Sequence, residues 1–160
     1  MMINDFILGI TLYSLLGSGL MAGIFFAFSS FVMKSLASLP TNKGIAVMQT
    51  INIKILNPSF LFLFLGTSFT SLILIICSFF RWSEANTIYL FLGSLLYLIG
   101  GFIVTALFNV PLNNKLAVVD ASSSADVKIW KDYLTIWTRW NHVRTVTCIA
   151  AMVMYILALR

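Results

Sequence analysis

The chain has 160 residues, of which 60% are hydrophobic and 9% are charged, and its net charge is +5 at pH 7. Charged residues make up about a quarter of an ordinary soluble domain. The low share of charged residues therefore excludes a soluble domain and indicates an integral membrane protein. The length fits one helical bundle better than two domains. We therefore expect a single transmembrane domain over residues 1–160.

Long uncharged segments predict the membrane-spanning helices. A helix needs about 20 apolar residues to cross a hydrocarbon core ~30 Å thick, and three uncharged runs exceed this length. A fourth run, residues 145–159, is shorter, so the fourth spanning helix must include some of the polar residues before it. The predicted spans are about 6–36, 58–80, 86–109 and 138–159, with a short cytoplasmic helix at about 42–56 and a last helix that begins near 126. The sequence thus predicts an all-α, four-helix membrane bundle.

The distribution of basic residues predicts the orientation of this bundle. With four spans both termini lie on one side, and that side carries only Arg81 and Arg160 of the ten lysines and arginines. The other side carries Lys34, Lys43, Lys54, Lys115, Lys128, Lys131, Arg139 and Arg144. Because cytoplasmic loops are enriched in lysine and arginine, both termini are expected on the extracytoplasmic side, most simply of a bacterial inner membrane. Orientation explains the net charge, so no nucleic-acid partner is expected.

Small residues recur in the first span. Gly19 and Gly23 form a G-x-x-x-G pattern that lets another helix approach closely, either within the chain or in a homo-oligomer. The same small residues leave room for a flat ligand beside Phe25, Phe26 and Phe28. We expect packing to be their main role.

Amide side chains mark two further places along the chain. Gln49 and Asn52 lie three residues apart and therefore share one face of the short helix. At the end of the third span Asn109 precedes Pro111, a residue type that disfavours helical backbone at the position before it, and Asn113 follows. We expect the helix to break at this proline. Because unpaired amides are costly in lipid, protein should cover the break.

The last helix carries one stripe of aromatic and polar residues. Trp130, Tyr133, Trp137, Asn141 and Arg144 recur at spacings of three or four residues and share one helical face. Such a stripe can be an aromatic belt at headgroup depth. Belt residues face lipid, however, whereas asparagine and arginine at membrane depth should face the bundle interior. We favour the interior-facing interpretation.

The other reactive residue types narrow the kind of site. His142 is the only histidine; it lies one residue, about 100° of helix, from the stripe and is either a structural group or a base. Cys77 and Cys148 lie in apolar spans and form no C-x-x-C pair. No carboxylate is expected in the pocket lining, so we predict neither paired-carboxylate catalysis nor a metal site. The candidate pocket is lined by Gln49, Asn52, Thr105, Asn109, Asn113, Trp137, Asn141 and Arg144.

Four segments, in this order, resemble the anthrone oxygenase-like family of small membrane proteins: GIFFAFSSFVMKSL, AVMQTINIKILNPSF, TALFNVPLNNKL and WKDYLTIWTRWNHVRT. The resemblance covers nearly the whole chain. Its most specific parts are the N-x-P-x-N of residues 109–113 and the W-N-x-x-R of residues 140–144. In fungal relatives a histidine stands three residues before the arginine, where this chain has Asn141, with His142 one position later. This difference leaves the identity of a catalytic base open.

The resemblance implies oxidation of an anthrone, a flat tricyclic phenolic ketone, to an anthraquinone by O₂ without a bound cofactor or metal. Arg144 would stabilise the substrate oxyanion, and Asn113 and Asn141 would hydrogen-bond to it. Trp137 or Phe26 would stack on the ring, and His142 would be the candidate base. The implied partners are this aromatic substrate, molecular oxygen and membrane lipid. The catalytic candidates are Arg144, Asn141, Asn113 and His142, and the substrate-binding candidates are Gln49, Asn52, Thr105, Asn109, Trp137, Trp140, Phe26 and Tyr133.

An alternative from a different class is a non-enzymatic membrane protein that binds a lipid, a quinone or a partner helix. Its asparagines and arginine would then join helices, through contacts that contribute about 0.6–2 kcal/mol each. A transporter or channel is the third interpretation. Such proteins usually have inverted repeats or charged residues along a path through the membrane, and the sequence shows neither.

Overall fold

The structure, a computed structural model, describes residues 2–120 and 124–160, and this part of the chain is helical without a strand. The helices are α1 (Met2–Ala27), α2 (Met33–Ala37), α3 (Thr41–Lys54), α4 (Pro58–Phe80), α5 (Thr87–Leu96), α6 (Val110–Ala117) and α7 (Ser124–Ala158). Three π-helical turns lie between them, at Phe28–Val32, Tyr97–Ile103 and Thr105–Asn109. The predicted all-α fold is confirmed for the described residues.

Four helical stretches are long and apolar enough to cross a membrane. They are Asp5–Ala37, Pro58–Phe80, Thr87–Ala117 and Val127–Ala158. The protein is therefore a multi-pass membrane protein with four spans, as the hydropathy of the sequence predicts. The third stretch is longer than predicted because its helix continues past Pro111.

The prediction that Pro111 breaks the third span is wrong. The backbone is right-handed helical at Asn109 (φ −77°, ψ −43°) and at Val110 (φ −62°, ψ −45°). The π-helical turn Thr105–Asn109 directly precedes the proline. Local π-helical adjustment lets a membrane helix accommodate a proline, which cannot donate a backbone hydrogen bond. Asn113 therefore lies on a helix and not on a loop.

The four spans pack as a ring, because α1 and α5 each lie between α4 and α7. Two glycines allow the closest approaches. A side chain at Gly17 would overlap Thr67 of α4, and one at Gly100 would overlap Thr147 of α7. Small residues at such crossings are typical of membrane helices, where close backbone packing replaces the hydrophobic effect between helices.

The two glycines of the G-x-x-x-G pattern have different surroundings. Gly19 lies against the Met152 side chain of α7, whereas a methyl group added at Gly23 would meet no neighbouring atom within 4 Å. Close approach at Gly19 therefore occurs within the chain. A homo-oligomer that uses Gly23 stays a prediction.

Buried residues form two clusters at different levels of the bundle. The terminal half of the core, on the side of Arg81, contains Leu74, Leu90, Tyr97 and Tyr155. The pocket half lies around α3 and contains Met33, Ile45, Met48, Leu116, Trp130, Tyr133 and Trp137. The lysines of the predicted cytoplasmic side lie in the helices that surround this second cluster.

Candidate functional site

Arg144 is a buried cation in the fourth span. It is only 5% exposed; its Nη1 donates to Thr105 Oγ1 (3.2 Å) and its Nη2 donates to Asn141 Oδ1 (2.7 Å). Its Nε has no hydrogen-bond partner in the part of the chain that the structure describes. Among the described residues, Arg81 and Glu84 form an ion pair, whereas Arg144 has no carboxylate partner. Burial of an unbalanced charge is costly, and arginines retained inside membrane spans usually serve a function.

Two aromatic rings surround the guanidinium group of Arg144. Its carbon lies 4.2 Å from the ring centroid of Phe25 and 5.0 Å from that of Trp137. Trp137 and Arg144 are seven residues apart, about two helical turns, so they share one face of α7. The negative faces of the rings stabilise the cation in part, yet they supply no acceptor for its free N–H groups.

Asn141 holds Arg144 in place. Its side chain is fully buried, and its Nδ2 donates to the Phe25 carbonyl and to Ser29 Oγ, both at 2.7 Å. Because its Oδ1 accepts from Arg144, every part of this amide is engaged by protein. Asn141 therefore ties α7 to the end of α1 and orients Arg144.

A second polar group lies beside Trp137. Asn113 Oδ1 accepts from Trp137 Nε1 and from the Tyr133 hydroxyl, both at 2.8 Å. Asn52 Nδ2 approaches the same hydroxyl at 3.5 Å. These contacts join α3, α6 and α7 next to the buried arginine.

A pocket of ≈ 510 Å³ lies between α1, α3, α6 and α7. Its polar lining consists of Gln49, Asn52, Thr105, Asn113, Asn114 and Arg144. Its apolar walls include Ile24, Phe25, Phe28, Met48, Phe60, Val110 and Trp137. Sites for small molecules typically measure about 300–1,000 Å³ and combine apolar walls with a few polar groups. The pocket thus has the size and lining typical of a site for a mainly apolar small molecule, with Arg144 as the one cationic group among its described lining residues.

The family model of anthrone oxygenase matches residues 58–154, more than half of the chain. The chain belongs to the anthrone oxygenase family. No curated protein and no solved structure matches it. Thr105, Asn113, Trp137 and Arg144 lie within the matched residues. The pocket walls from α1 and α3 precede them, so the family match does not extend to that part of the site.

Gln49 contacts backbone at the end of α6. Its Nε2 donates to the carbonyls of Leu116 (2.9 Å) and Val119 (3.1 Å). The Leu116 carbonyl also accepts from the Val119 N–H (3.2 Å), so Gln49 adds a side-chain donor there and fixes α3 against the end of α6. It also lines the pocket, as the sequence predicts, although its amide N–H groups are already used.

Phe26 does not contact the pocket, contrary to the prediction. Its side chain is 57% exposed, whereas Phe25 and Phe28 line the pocket instead. Adjacent residues of a helix point about 100° apart, so a shift of one position reverses which phenylalanine faces inward. Ser29, which was not predicted from the sequence, lies one turn after Phe25 on this inner face, and that spacing is the signal that points to it.

Five further candidates lie outside the pocket lining: Asn109, Tyr133, Trp140, Asn141 and His142. His142 is exposed on α7, so its position gives no support to the expectation that it is the base. Trp140 stacks on Phe108, with ring centroids 3.7 Å apart. Asn109 is buried and donates from Nδ2 to the Trp137 carbonyl (3.2 Å), while its Oδ1 has no partner. Asn109 therefore supports the backbone of α7 beneath the pocket.

Proposed function

We propose that this member of the anthrone oxygenase family oxidises a flat phenolic ketone of the anthrone type with O₂ in the pocket beside Arg144. The observation that carries the proposal is the buried Arg144, which lies between aromatic rings and has no carboxylate partner among the described residues. An anionic aromatic ligand would supply both the missing negative charge and a surface for stacking.

The reaction needs little from the protein beyond stabilising an anion. Loss of a proton from the anthrone CH₂ leaves an anthrolate, with the charge on the ketone oxygen. The anthrolate transfers an electron to O₂, and the carbon and the superoxide then join in a new C–O bond. Protonation gives a hydroperoxide. The carbon then loses its second hydrogen as a proton while the O–O bond breaks, so one anthrone and one O₂ yield one anthraquinone and one water.

Arg144 is the residue expected to lower the barrier of the first step. Its Nε–H has no acceptor, and Thr105 and Asn141 hold the rest of the group in a fixed orientation. A preorganised donor at a developing oxyanion stabilises the transition state without reorganisation. We infer that the acidity of the substrate, increased by Arg144, replaces a side-chain base, because His142 is exposed away from the pocket.

Oxygen uptake tests this function. Purified protein in detergent, supplied with an anthrone and with no metal, flavin or nicotinamide, should consume O₂ faster than protein-free micelles that contain the same anthrone. The quinone should form at the matching rate. Uptake equal to the spontaneous rate with several anthrones would mean that the protein is not an oxygenase.

A binding protein without catalysis is the second candidate. The observation that favours it is the complete hydrogen bonding of Asn141, whose contacts join α7 to α1 in the way expected of a structural amide. Such a protein would hold a quinone or another aromatic anion at Arg144. It would bind an anthraquinone but leave the rate of oxygen uptake unchanged.

We further propose that both termini are extracytoplasmic and that the pocket opens toward the cytoplasmic side of an inner membrane. The excess of lysine and arginine on the pocket half supports this orientation. The test uses Ser83→Cys and Lys128→Cys in a chain without its two native cysteines. In intact cells an impermeant maleimide should label position 83 only; labelling of position 128 alone would reverse the orientation.

A further inference from the structure

The amide of Asn113 has a defined orientation. The Trp137 indole nitrogen lies 2.8 Å from one atom of this amide. An indole N–H can only donate a hydrogen bond, so the facing atom must be the amide oxygen. The Tyr133 hydroxyl lies 2.8 Å from the same oxygen. The amide nitrogen of Asn113 is thereby directed away from both residues.

That nitrogen is free for a ligand. Asn113 lines the pocket together with Arg144, and the hydrogen bonds of the described residues that involve its side chain all end on Oδ1. The guanidinium group of Arg144 packs against the ring face of Trp137, and Asn113 accepts a hydrogen bond from the N–H at the edge of the same ring. The pocket therefore offers two separate donor groups, one cationic and one neutral, around a single indole.

We propose that Asn113 binds a second oxygen of the ligand, distinct from the oxyanion at Arg144, and that Trp137 is the positioning residue that makes this possible. The pocket accordingly selects flat aromatic anions that carry another carbonyl or hydroxyl oxygen on the ring system. A ring system with one oxygen satisfies Arg144 only. This inference rests on the proposed function for the class of ligand, and it adds the feature that distinguishes one such ligand from another.

Two unreactive ligands distinguish binding of the oxyanion at Arg144 from binding of the second oxygen at Asn113. Both 2-hydroxyanthraquinone and 2-hydroxyanthracene are flat, tricyclic and ionisable at one hydroxyl, but only the quinone has further oxygens, and neither has the reactive CH₂. Their affinities for the detergent-solubilised protein are measured by fluorescence titration, with protein-free micelles as the blank. Asn113→Ala should weaken binding of the quinone about three- to tenfold, the effect of one hydrogen bond, and change binding of the hydroxyanthracene much less.

A matched pair of variants tests the positioning role. Trp137→Phe removes the one partner that can only donate, while the hydroxyl of Tyr133 can accept as well as donate, so the amide becomes free to turn over. Tyr133→Phe leaves the indole N–H, which still fixes the amide oxygen. The ratio of the two probe affinities should therefore fall in Trp137→Phe by about as much as in Asn113→Ala, and should fall less in Tyr133→Phe. A purely structural role would weaken both probes together.

The possible results distinguish a failure of this inference from a failure of the proposed function. Equal weakening of both probes in Asn113→Ala and in Trp137→Phe, or a larger fall of the ratio in Tyr133→Phe than in Trp137→Phe, overturns the role of Asn113 while the anthrone-type site survives. Wild-type protein that binds neither probe more than the micelles do overturns the proposed ligand class, and this inference with it.

Discussion

In the terminal half of the core, the Tyr155 hydroxyl bonds to Ser71 (2.9 Å) and Ser94 (3.1 Å), and Ser14 bonds to Thr70 (2.7 Å). In the pocket half, by contrast, Arg144 Nε and the Asn113 amide nitrogen have no hydrogen-bond partner among the described residues. These hydroxyl pairs join α1 to α4 and α7 to α4 and α5. Donors without acceptors beside a pocket can accept a ligand as their partner, as the proposed function requires.

The contrast extends to backbone geometry. All three π-helical turns contact α7, and two of them, Phe28–Val32 and Thr105–Asn109, lie next to the pocket. They carry Phe28 and Thr105 into the pocket lining. Single π-helical turns in membrane and soluble helices frequently occur at functional sites. The terminal half also contains an exception to full pairing, because Thr67 Oγ1 has no partner, but that atom is not part of a pocket lining.

The largest effect should come from Arg144→Met, which removes the charge and keeps much of the side-chain volume. Loss of one preorganised donor at an oxyanion commonly costs on the order of 10²-fold or more in rate. Oxygen uptake with a saturating anthrone measures it. The matched control is Lys131→Met, the same kind of change at an exposed residue of α7, and similar rates in the two variants would contradict the role of Arg144.

Tyr155→Phe tests the terminal half of the core, where, in this comparison, polar side chains have a structural role only. It leaves Ser71 and Ser94 without their shared partner, and a polar contact within a membrane bundle contributes about 0.6–1.7 kcal/mol. We expect a lower midpoint of thermal unfolding in detergent and an unchanged rate of oxygen uptake per folded molecule. If the rate fell while the midpoint did not, the terminal half would have to contribute to the reaction.

The smallest effect is expected for His142→Ala. The histidine is exposed and outside the pocket lining, so oxygen uptake should stay close to that of the wild type across neutral pH. A large loss, accompanied by a changed dependence of the rate on pH, would identify His142 as the base and would require the side chain to reach the substrate in another conformation.

Much of the fold could be predicted from the sequence, because a membrane imposes strong rules on it. Span length follows from bilayer thickness, and the one-sided stripe from Trp130 to Arg144 requires only helical periodicity. Asn141 and Arg144 are indeed buried, as the interior-facing interpretation of that stripe predicts. Neither point depends on how distant segments pack.

The remaining details depend on tertiary contacts that local pattern does not contain. Whether Phe25 or Phe26 faces inward depends on the rotation of α1 against α7, and a difference of one residue is enough to exchange them. The continued helix at Pro111 depends on a π-helical turn that the neighbouring spans stabilise. The direction of the Asn113 amide is set by Trp137, which is 24 residues away in sequence.

The proposed role of the pocket beside Arg144 is to add an atom of O₂ to the substrate, and labelling with ¹⁸O₂ is the decisive test. Wild-type protein, an anthrone and ¹⁸O₂ in unlabelled water are analysed by mass spectrometry after correction for protein-free oxidation. We predict that the protein-dependent quinone carries one ¹⁸O atom and that Arg144→Met abolishes this labelled increment. Protein-dependent quinone without label, or a labelled increment that is unchanged in Arg144→Met, would contradict this role.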